Sequence, residues 1–538
     1  MLNNVRLLKI AAMGGLFAAL TACGGGSPDM PGLSTSKGSD ATLSIVSNRA
    51  DLVSGGDVLV HVESTGSPNV TLNGVDISGQ FEPYVDGGYR ALVTGLALGE
   101  NVIAAISDAG VSAVTVTNAP HGGPVFSGPQ LEPWRCNNGA AEDDACNQPP
   151  EYTYMYQSSS SQQFQAYDPE NPPNDVATTT TDEGVEVPFI VRIEKGFQNR
   201  DQYAIAALIQ PDEDWTPANP QEQYNGKLLV THGASCGTDY GSGSAPEVSP
   251  SNGTNAEALG RGYLVASTAL NNAGHNCNLA LQAESIVMVK ERIIEQYGDL
   301  RYTIAAGCSG GSLALQWMAN AYPGLYQGLL PTCSFPDTWS TATQFLDYHQ
   351  TIDYFFGVPS RWGAGIAWTE NQMAAVQGHT AVVNSQVSET AQFSVAVATE
   401  GCNNDASDDA YHPEDNPDGV RCTIQDAAIN IFGPRPEAVW GDVETSLQRG
   451  FAGFPVDNVG VQYGLLPLQE DVILPSQFLD LNEKIGGIDV DTVFTEERIE
   501  AVQPALANAY RSGMSNSTNN LAQVAIIDCR GGGPGAFP

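Results

Sequence analysis

The 538-residue chain carries 61 Asp and Glu against 22 Lys and Arg, a formal net charge of −39, with 42% hydrophobic residues and ten cysteines. A surface this acidic repels nucleic acid and anionic lipid head groups, which excludes polyanion binding and favours a neutral substrate and a saline habitat. The hydrophobic content suffices for two or more cores, so disorder is not the source of the acidity.

Residues 1–22 place Arg6 and Lys9 ahead of an apolar run from Ile10 to Ala19, followed by Leu20, Thr21, Ala22 and Cys23. The run is too short to span a bilayer as a mature helix and ends in small residues before a cysteine, as a cleaved export signal does. This segment resembles a bacterial lipoprotein signal, which implies lipidation at Cys23 and a lipid-anchored place in the cell envelope. Gly24 stands where that resemblance puts an aspartate for inner-membrane retention, so the outer membrane of a Gram-negative bacterium is the expected anchor. Losing Arg6 and Lys9 takes the net charge to −41. Residues 23–41, rich in Gly, Ser and Pro, are expected to form a flexible tether.

Between residues 42 and 120, short alternating runs recur at Leu43–Val46, Val58–Val62, Val70–Leu72, Tyr89–Val93, Val102–Ile106 and Val114–Thr117. Six such runs separated by turn residues predict a small immunoglobulin-like β-sandwich. Residues 118–184, rich in Pro, Asn, Ser and Asp, are expected to be an irregular connector. Strands are then expected at Val185–Ile193 and Tyr203–Ile209 about a turn at Asn199, at Leu228–Thr231, Tyr263–Ala269 and Tyr302–Ala306, with an amphipathic helix over Ile286–Tyr297. This alternation predicts an α/β fold of three layers across residues 121–337. Leu329 and Leu330 lead toward Asp337 as a sixth strand and its carboxyl end. Residues 338–519 break the pattern and are expected to form a large cap, with a long helix from Glu496 to Arg511. A last core strand is expected at Val524–Ile527, within a terminal segment 520–538 whose Gly531–Pro538 tail has the look of a truncated or frame-shifted end.

Gly307, Cys308, Ser309, Gly310 and Gly311 spell G-x-S-x-G between the Tyr302–Ala306 strand and a helix opening at Ser312. That context makes the pentapeptide a nucleophile elbow, with glycines where a Cβ would separate strand from helix. Serine is a weak nucleophile and needs a base and donors for the oxyanion. The run Thr231, His232, Gly233, Ala234, Ser235 follows the third strand of the sheet, where this fold carries its oxyanion loop, so the backbone N–H groups of Ala234 and Gly310 are the candidate donors. Asp528 is the topological candidate for the triad acid, with Asp337 as runner-up.

Triad order in this fold is serine, acid, histidine, yet no histidine follows His412. His349, His379 and His412 lie in the cap, and His232 and His275 near the carboxyl edge of the sheet; none is assigned as the base.

Nine cysteines remain after Cys23 without CxxC spacing, which in an exported chain favours disulfides over metal sites. Cys136 with Cys146 and Cys402 with Cys422 are the predicted local pairs. Cys236, Cys277, Cys308 and Cys333 lie near the active-site edge with one pairing among them left open, and Cys529 is the odd one. No cofactor is expected. Asp405, Asp408, Asp409, Glu414, Asp415 and Asp418 are dense enough to hold calcium, but EF-hand spacing is absent and a solvated acidic loop is the favoured reading.

The segments His232–Gly237, Asn271–Asn278 and Gly307–Asp337 resemble secreted α/β-hydrolases of the tannase and feruloyl-esterase kind. Gly307, Cys308, Ser309, Tyr322, Pro323 and Gly328 are similar to that family's G-C-S-x-G-G and Y-P-x-x-x-x-G motifs, although Gly310 and Gly311 follow the serine one residue early. The sandwich, Gly123–Cys136 and Asp457–Gly464 resemble a largely uncharacterised group of bacterial lipoproteins with the same serine motif. The resemblance implies hydrolysis of a small-molecule or oligomeric ester through Ser309. It also implies a histidine followed by a cysteine near the carboxyl end, that cysteine bonded to the one before the nucleophile. Here Cys529 follows Asp528, which leaves Cys529 or Cys333 for Cys308. A serine peptidase and a catalytically impaired binding lipoprotein are the alternative readings.

Overall fold

In the computed structural model, residues 41–529 are described apart from 109, 138–140, 142 and 401–408. The expected signal, the tether up to residue 40, Cys23, Cys402, Asp405, Asp408 and the Gly531–Pro538 tail therefore lie outside the described residues.

The alternating runs after residue 41 form two facing sheets. Thr42–Ile45, Asp57–Glu63, Tyr89–Thr94 and Glu82–Pro83 make one, and Val53–Ser54, Gly110–Ala119, Gly99–Ser107, Asn69–Leu72 and Val75–Asp76 the other. Val58, Val60, Val62, Val70, Val93, Ile103 and Val116 are fully buried between them, as the period-2 pattern requires.

A nine-stranded sheet carries the rest of the molecule. In chain order its strands are β1 (Glu151–Gln157), β2 (Phe164–Ala166), β3 (Ile190–Gln198), β4 (Asp201–Leu208), β5 (Lys227–His232), β6 (Leu264–Thr268), β7 (Tyr302–Cys308), β8 (Gly328–Thr332) and β9 (Ala525–Ile526). Their spatial order is β2-β1-β3-β4-β6-β5-β7-β8-β9. The pairs from β2 to β6 are antiparallel, and those through β6, β5, β7, β8 and β9 are parallel. The parallel part needs crossovers, which α1 (Gly253–Gly260), α2 (Leu279–Tyr297) and α3 (Gly310–Ala321) supply. This is the α/β-hydrolase arrangement of strands and helices.

Three expectations are corrected. The connector at 118–184 is not wholly irregular, because Tyr152, Tyr154 and Tyr156 alternate along β1, which pairs with β3 over Tyr156↔Ile190 to Glu151↔Lys195. The strand expected from Val185 is split: Glu186–Pro188 pairs with Thr178–Thr180, and β3 begins only at Ile190. The long helix expected from Glu496 begins at Ala505, after Pro504, which has no N–H to donate within a helix. Asn199 (φ 55°) and Arg200 (φ 67°) make the two-residue turn between β3 and β4.

The sandwich is clasped to the hydrolase core. Arg90 pairs with Asp299 at 2.7 Å, and Glu291 of α2 accepts from Asn48 and Ser54. At the other end, α4 (Thr338–Phe356) opens the excursion that returns to the sheet only at β9. Trp317 of α3, fully buried, donates to the Gly513 carbonyl at 2.8 Å and ties this excursion to the elbow helix. No helix among the described residues is long and apolar enough to cross a membrane.

Candidate active site

β7 runs out at Cys308 and α3 starts at Gly310, leaving Ser309 alone on the junction with φ 55° and ψ −120°. A side chain pays of order 1–3 kcal/mol for that backbone, which persists only where neighbours impose it. They do so here. The Ser309 N–H donates to the Thr332 carbonyl at 3.0 Å, and its carbonyl accepts from Leu313 N–H at 3.1 Å and Ser312 Oγ at 2.7 Å. A Cβ on Gly307 would lie 2.6 Å from the Gly311 carbonyl carbon, one on Gly311 2.8 Å from the His232 carbonyl oxygen, and one on Gly310 would overlap the Ser235 carbonyl. The glycines thus let β7, α3 and the loop after β5 converge beneath the serine. The first N–H groups of α3 lack partners within the helix and carry its positive dipole end, which suits a developing oxyanion.

The loop after β5 is fixed from several sides. Cys236 and Cys277 form a disulfide, Gly237 N–H donates to the Ala273 carbonyl at 2.9 Å, and Cys277 N–H donates to the Gly237 carbonyl at 3.0 Å. Ser235, with φ 71°, is the residue set against Gly310, whereas the Ala234 carbonyl faces Gly274. Ala234, the expected donor, immediately precedes this left-handed turn.

Below this loop, His275 is held between two carboxylates, Nε2 at 2.6 Å from Asp201 and Nδ1 at 2.6 Å from Asp239. Burial disfavours its charged form, but the Asp201 and Asp239 carboxylates outweigh that and push its pKa up to about 10. It is an imidazolium clasp joining the β3–β4 turn to the loops after β5 and β6.

The other histidines lie in surroundings of their own. His232 is buried against Asn271 O (3.3 Å) and Tyr326 Oη (3.1 Å), and burial pushes its pKa down to about 4, so it stays neutral inside the core. His121 meets the Phe197 carbonyl at 2.7 Å, and His61 lies edge-on to Tyr84. In the excursion, His349 stacks between Phe393 and Phe494 and bonds Glu389 at 2.7 Å, His379 bonds Tyr348, and His412 faces Asp415 at 3.5 Å. Among the described residues no histidine bonds Ser309.

Asp337 is corrected from candidate acid to helix cap. Wholly buried, it accepts from Ser340 N–H at 2.6 Å and Ser340 Oγ at 2.7 Å at the start of α4, and from Asn516 N–H at 2.9 Å. Asp528 is exposed just past β9, followed by Cys529, whose carbonyl accepts from Cys333 N–H at 3.2 Å. Cys136 and Cys146 are bonded to each other, while the predicted partner of Cys422, Cys402, is outside the described residues. Of the acidic loop, Asp409 pairs with Arg135 at 2.9 Å and Asp418 with Arg449 at 2.6 Å, and no group of metal-holding side chains occurs among the described residues.

No curated protein matches this sequence. Solved structures that it matches include feruloyl esterase B from Aspergillus oryzae, 13% identical over 71% of this chain and 71% of that one, with a TM-score of 0.27. An esterase from Aspergillus oryzae is 10% identical over 66% and 68%, with a TM-score of 0.25. A thermophilic pNB esterase is 19% identical over 27% of this chain, with a TM-score of 0.18; the chain covers 32% of that esterase's length. The family relationship is much more extensive, since one family model matches residues 43–534. The chain belongs to the tannase-like family of unknown function (DUF6351).

Proposed function

We propose that the chain is an exported serine hydrolase scaffold for carboxylic esters, lipid-anchored through Cys23 at the cell envelope, in which Ser309 forms the acyl-enzyme. The observation that carries this is the Ser309 backbone, φ 55° and ψ −120°, on a strand-to-helix junction whose helix N-terminus offers N–H donors. Attack by Ser309 Oγ on the ester carbonyl puts negative charge on its oxygen. The backbone N–H groups of Gly310 and Ala234 are the donors assigned to that charge. Asp528 takes the acid's position by topology.

A fluorophosphonate probe on the purified chain tests this, with short p-nitrophenyl esters as substrates. Labelling mapped to Ser309 and lost in Ser309→Ala is the expected result; an unlabelled Ser309 in a folded chain sinks the reading.

One observation favours a second reading, a binding lipoprotein on a hydrolase scaffold: among the described residues no histidine bonds Ser309, and His121, His232, His275, His349, His379 and His412 each meet another partner. Ester binding with no burst of p-nitrophenol, alongside probe labelling, distinguishes it from the turning-over enzyme.

A further inference from the structure

The excursion after β8 encloses a narrow cavity of about 50 Å³. Four residues that line it, Trp339 and Leu346 of α4, Phe393 and Ile424, are buried. Other contacts hold this wall in place. Trp339 lies edge-on to Phe432 at 4.7 Å, Phe393 stacks on His349 at 3.8 Å, and the Ile424 N–H donates to the Val395 carbonyl at 3.1 Å. Thr492, with φ 63°, also lines the cavity, and a β-branched residue keeps such a backbone only where its surroundings impose it. Thr338, next to Trp339, sets its Oγ1 3.2 Å from Cys277 Sγ, so this end of the excursion rests on the Cys236–Cys277 disulfide of the core.

The Trp339 indole N–H, in a side chain only 6% exposed, meets no acceptor among the described residues. An indole can donate but not accept, and a buried donor left unmade is costly. Gln425, the other buried polar side chain of the lining, already donates to the Ala452 carbonyl at 2.7 Å. Asp489, exposed, is the one charged side chain among the described lining residues, which disfavours an anion. An apolar cavity of about 150 Å³ takes a benzene ring. This one is a third of that size, which suits an unbranched chain and not a six-membered ring.

We propose that this cavity binds a neutral carbonyl compound with an unbranched alkyl chain, the chain lying among Leu346, Phe393 and Ile424 and the carbonyl oxygen accepting from Trp339 Nε1. A ketone, aldehyde or ester oxygen accepts without bringing a proton that needs an acceptor of its own, as an alcohol or a phenol does. A carboxylate would meet Asp489 and no cation of the lining. The site does not depend on whether Ser309 reacts.

The test follows the seven indole N–H signals of the purified chain labelled with 15N-tryptophan, the Trp339 signal being the one lost in Trp339→Phe. 2-Hexanone should move that signal downfield and saturably, and hexane, which has no acceptor, should not. Cyclohexanone, with as many carbons, should bind at least about tenfold more weakly, because a ring overpacks the cavity. Trp339→Phe keeps an aromatic wall without the donor and should bind 2-hexanone about fivefold more weakly in saturation-transfer NMR, with circular dichroism unchanged. If that variant does not fold, Ile424→Val identifies the signal by displacing it, and the comparison of ketones on the unsubstituted chain decides. A Trp339 signal that 2-hexanone leaves in place, cyclohexanone bound as tightly as 2-hexanone, hexane moving the signal as far as the ketone, or undiminished affinity in a folded Trp339→Phe overturns the proposal.

Discussion

The Glu291 carboxylate, inside α2, accepts the Ser54 N–H at 2.8 Å and the Ser54 hydroxyl at 3.1 Å across the joint between the sandwich and the hydrolase core. Asn48 Nδ2 donates to it as well, at 3.1 Å. Glu295, one turn further along, is also buried there, and its Oε1 has no hydrogen-bond partner. Asp57, Arg292 and His121 are the other charged or titratable groups at this joint.

The joint should weaken as pH rises. Burial pushes the Glu291 carboxyl up to about 7, and burial with the Glu291 charge pushes Glu295 up as well. A carboxyl raised on folding contributes stability that is complete below its ordinary range, near pH 4.5, and is lost as pH rises through about 7. The loss from Glu291 is on the order of 3 kcal/mol. Glu291→Gln keeps an acceptor for Ser54 and has no charge to bury. Differential scanning calorimetry between pH 5 and 8 should show a falling Tm in the unsubstituted chain and a flatter one in the variant; equal slopes refute the assignment.

His275 predicts a dependence at the other end of the scale. Its pKa is raised on folding, so its contribution is complete below the ordinary histidine range and is lost as pH climbs through about 10. Replacing it with Gln leaves the Asp201 and Asp239 carboxylates facing each other without a cation, at a cost of about 3–5 kcal/mol. Urea unfolding at pH 7 measures that loss, and a change below 1 kcal/mol would count against the clasp.

Gly310→Ala should disable the elbow while leaving the fold intact. The added methyl overlaps the Ser235 carbonyl, and loop and helix must separate to admit it. A displacement of about 1 Å at reacting groups costs up to about 100-fold. Fluorophosphonate labelling of Ser309 should slow at least tenfold on this account, with circular dichroism unchanged.

The strain at Ser309 is measurable on its own. Glycine accepts φ 55° and ψ −120° without a Cβ penalty, and alanine does not. Ser309→Gly should therefore be more stable than Ser309→Ala by about 1 kcal/mol in denaturant unfolding, both being unreactive to the probe.

The elbow was legible because its glycines and the flanking periodicities point to one backbone. The alternation of strands and helices and the sandwich follow from similarly local patterns. β1 was hidden by composition: its alternating tyrosines sit among Pro, Asn and Gln, and only pairing with β3 gives them a face to cover. Asp337 illustrates a deeper limit. An aspartate after a strand suits a triad acid or a helix cap equally, and what decides is Asn516, 179 residues away. The same holds for His275, whose two carboxylates come from separate turns.

That hydrogen bond from Asn516 to Asp337 has a modular consequence. The chain leaves the sheet after β8 and travels as far as residue 516 before the two ends of the excursion meet on a single carboxylate. A segment whose entrance and exit touch behaves as a closed loop, and the entropy of closing such a loop grows only with the logarithm of its length. The size and content of the excursion are thereby uncoupled from the sheet below: it can be lengthened, trimmed or exchanged at modest thermodynamic expense so long as Asp337 and Asn516 still meet. Variation in the excursion need not disturb the strands that hold the serine.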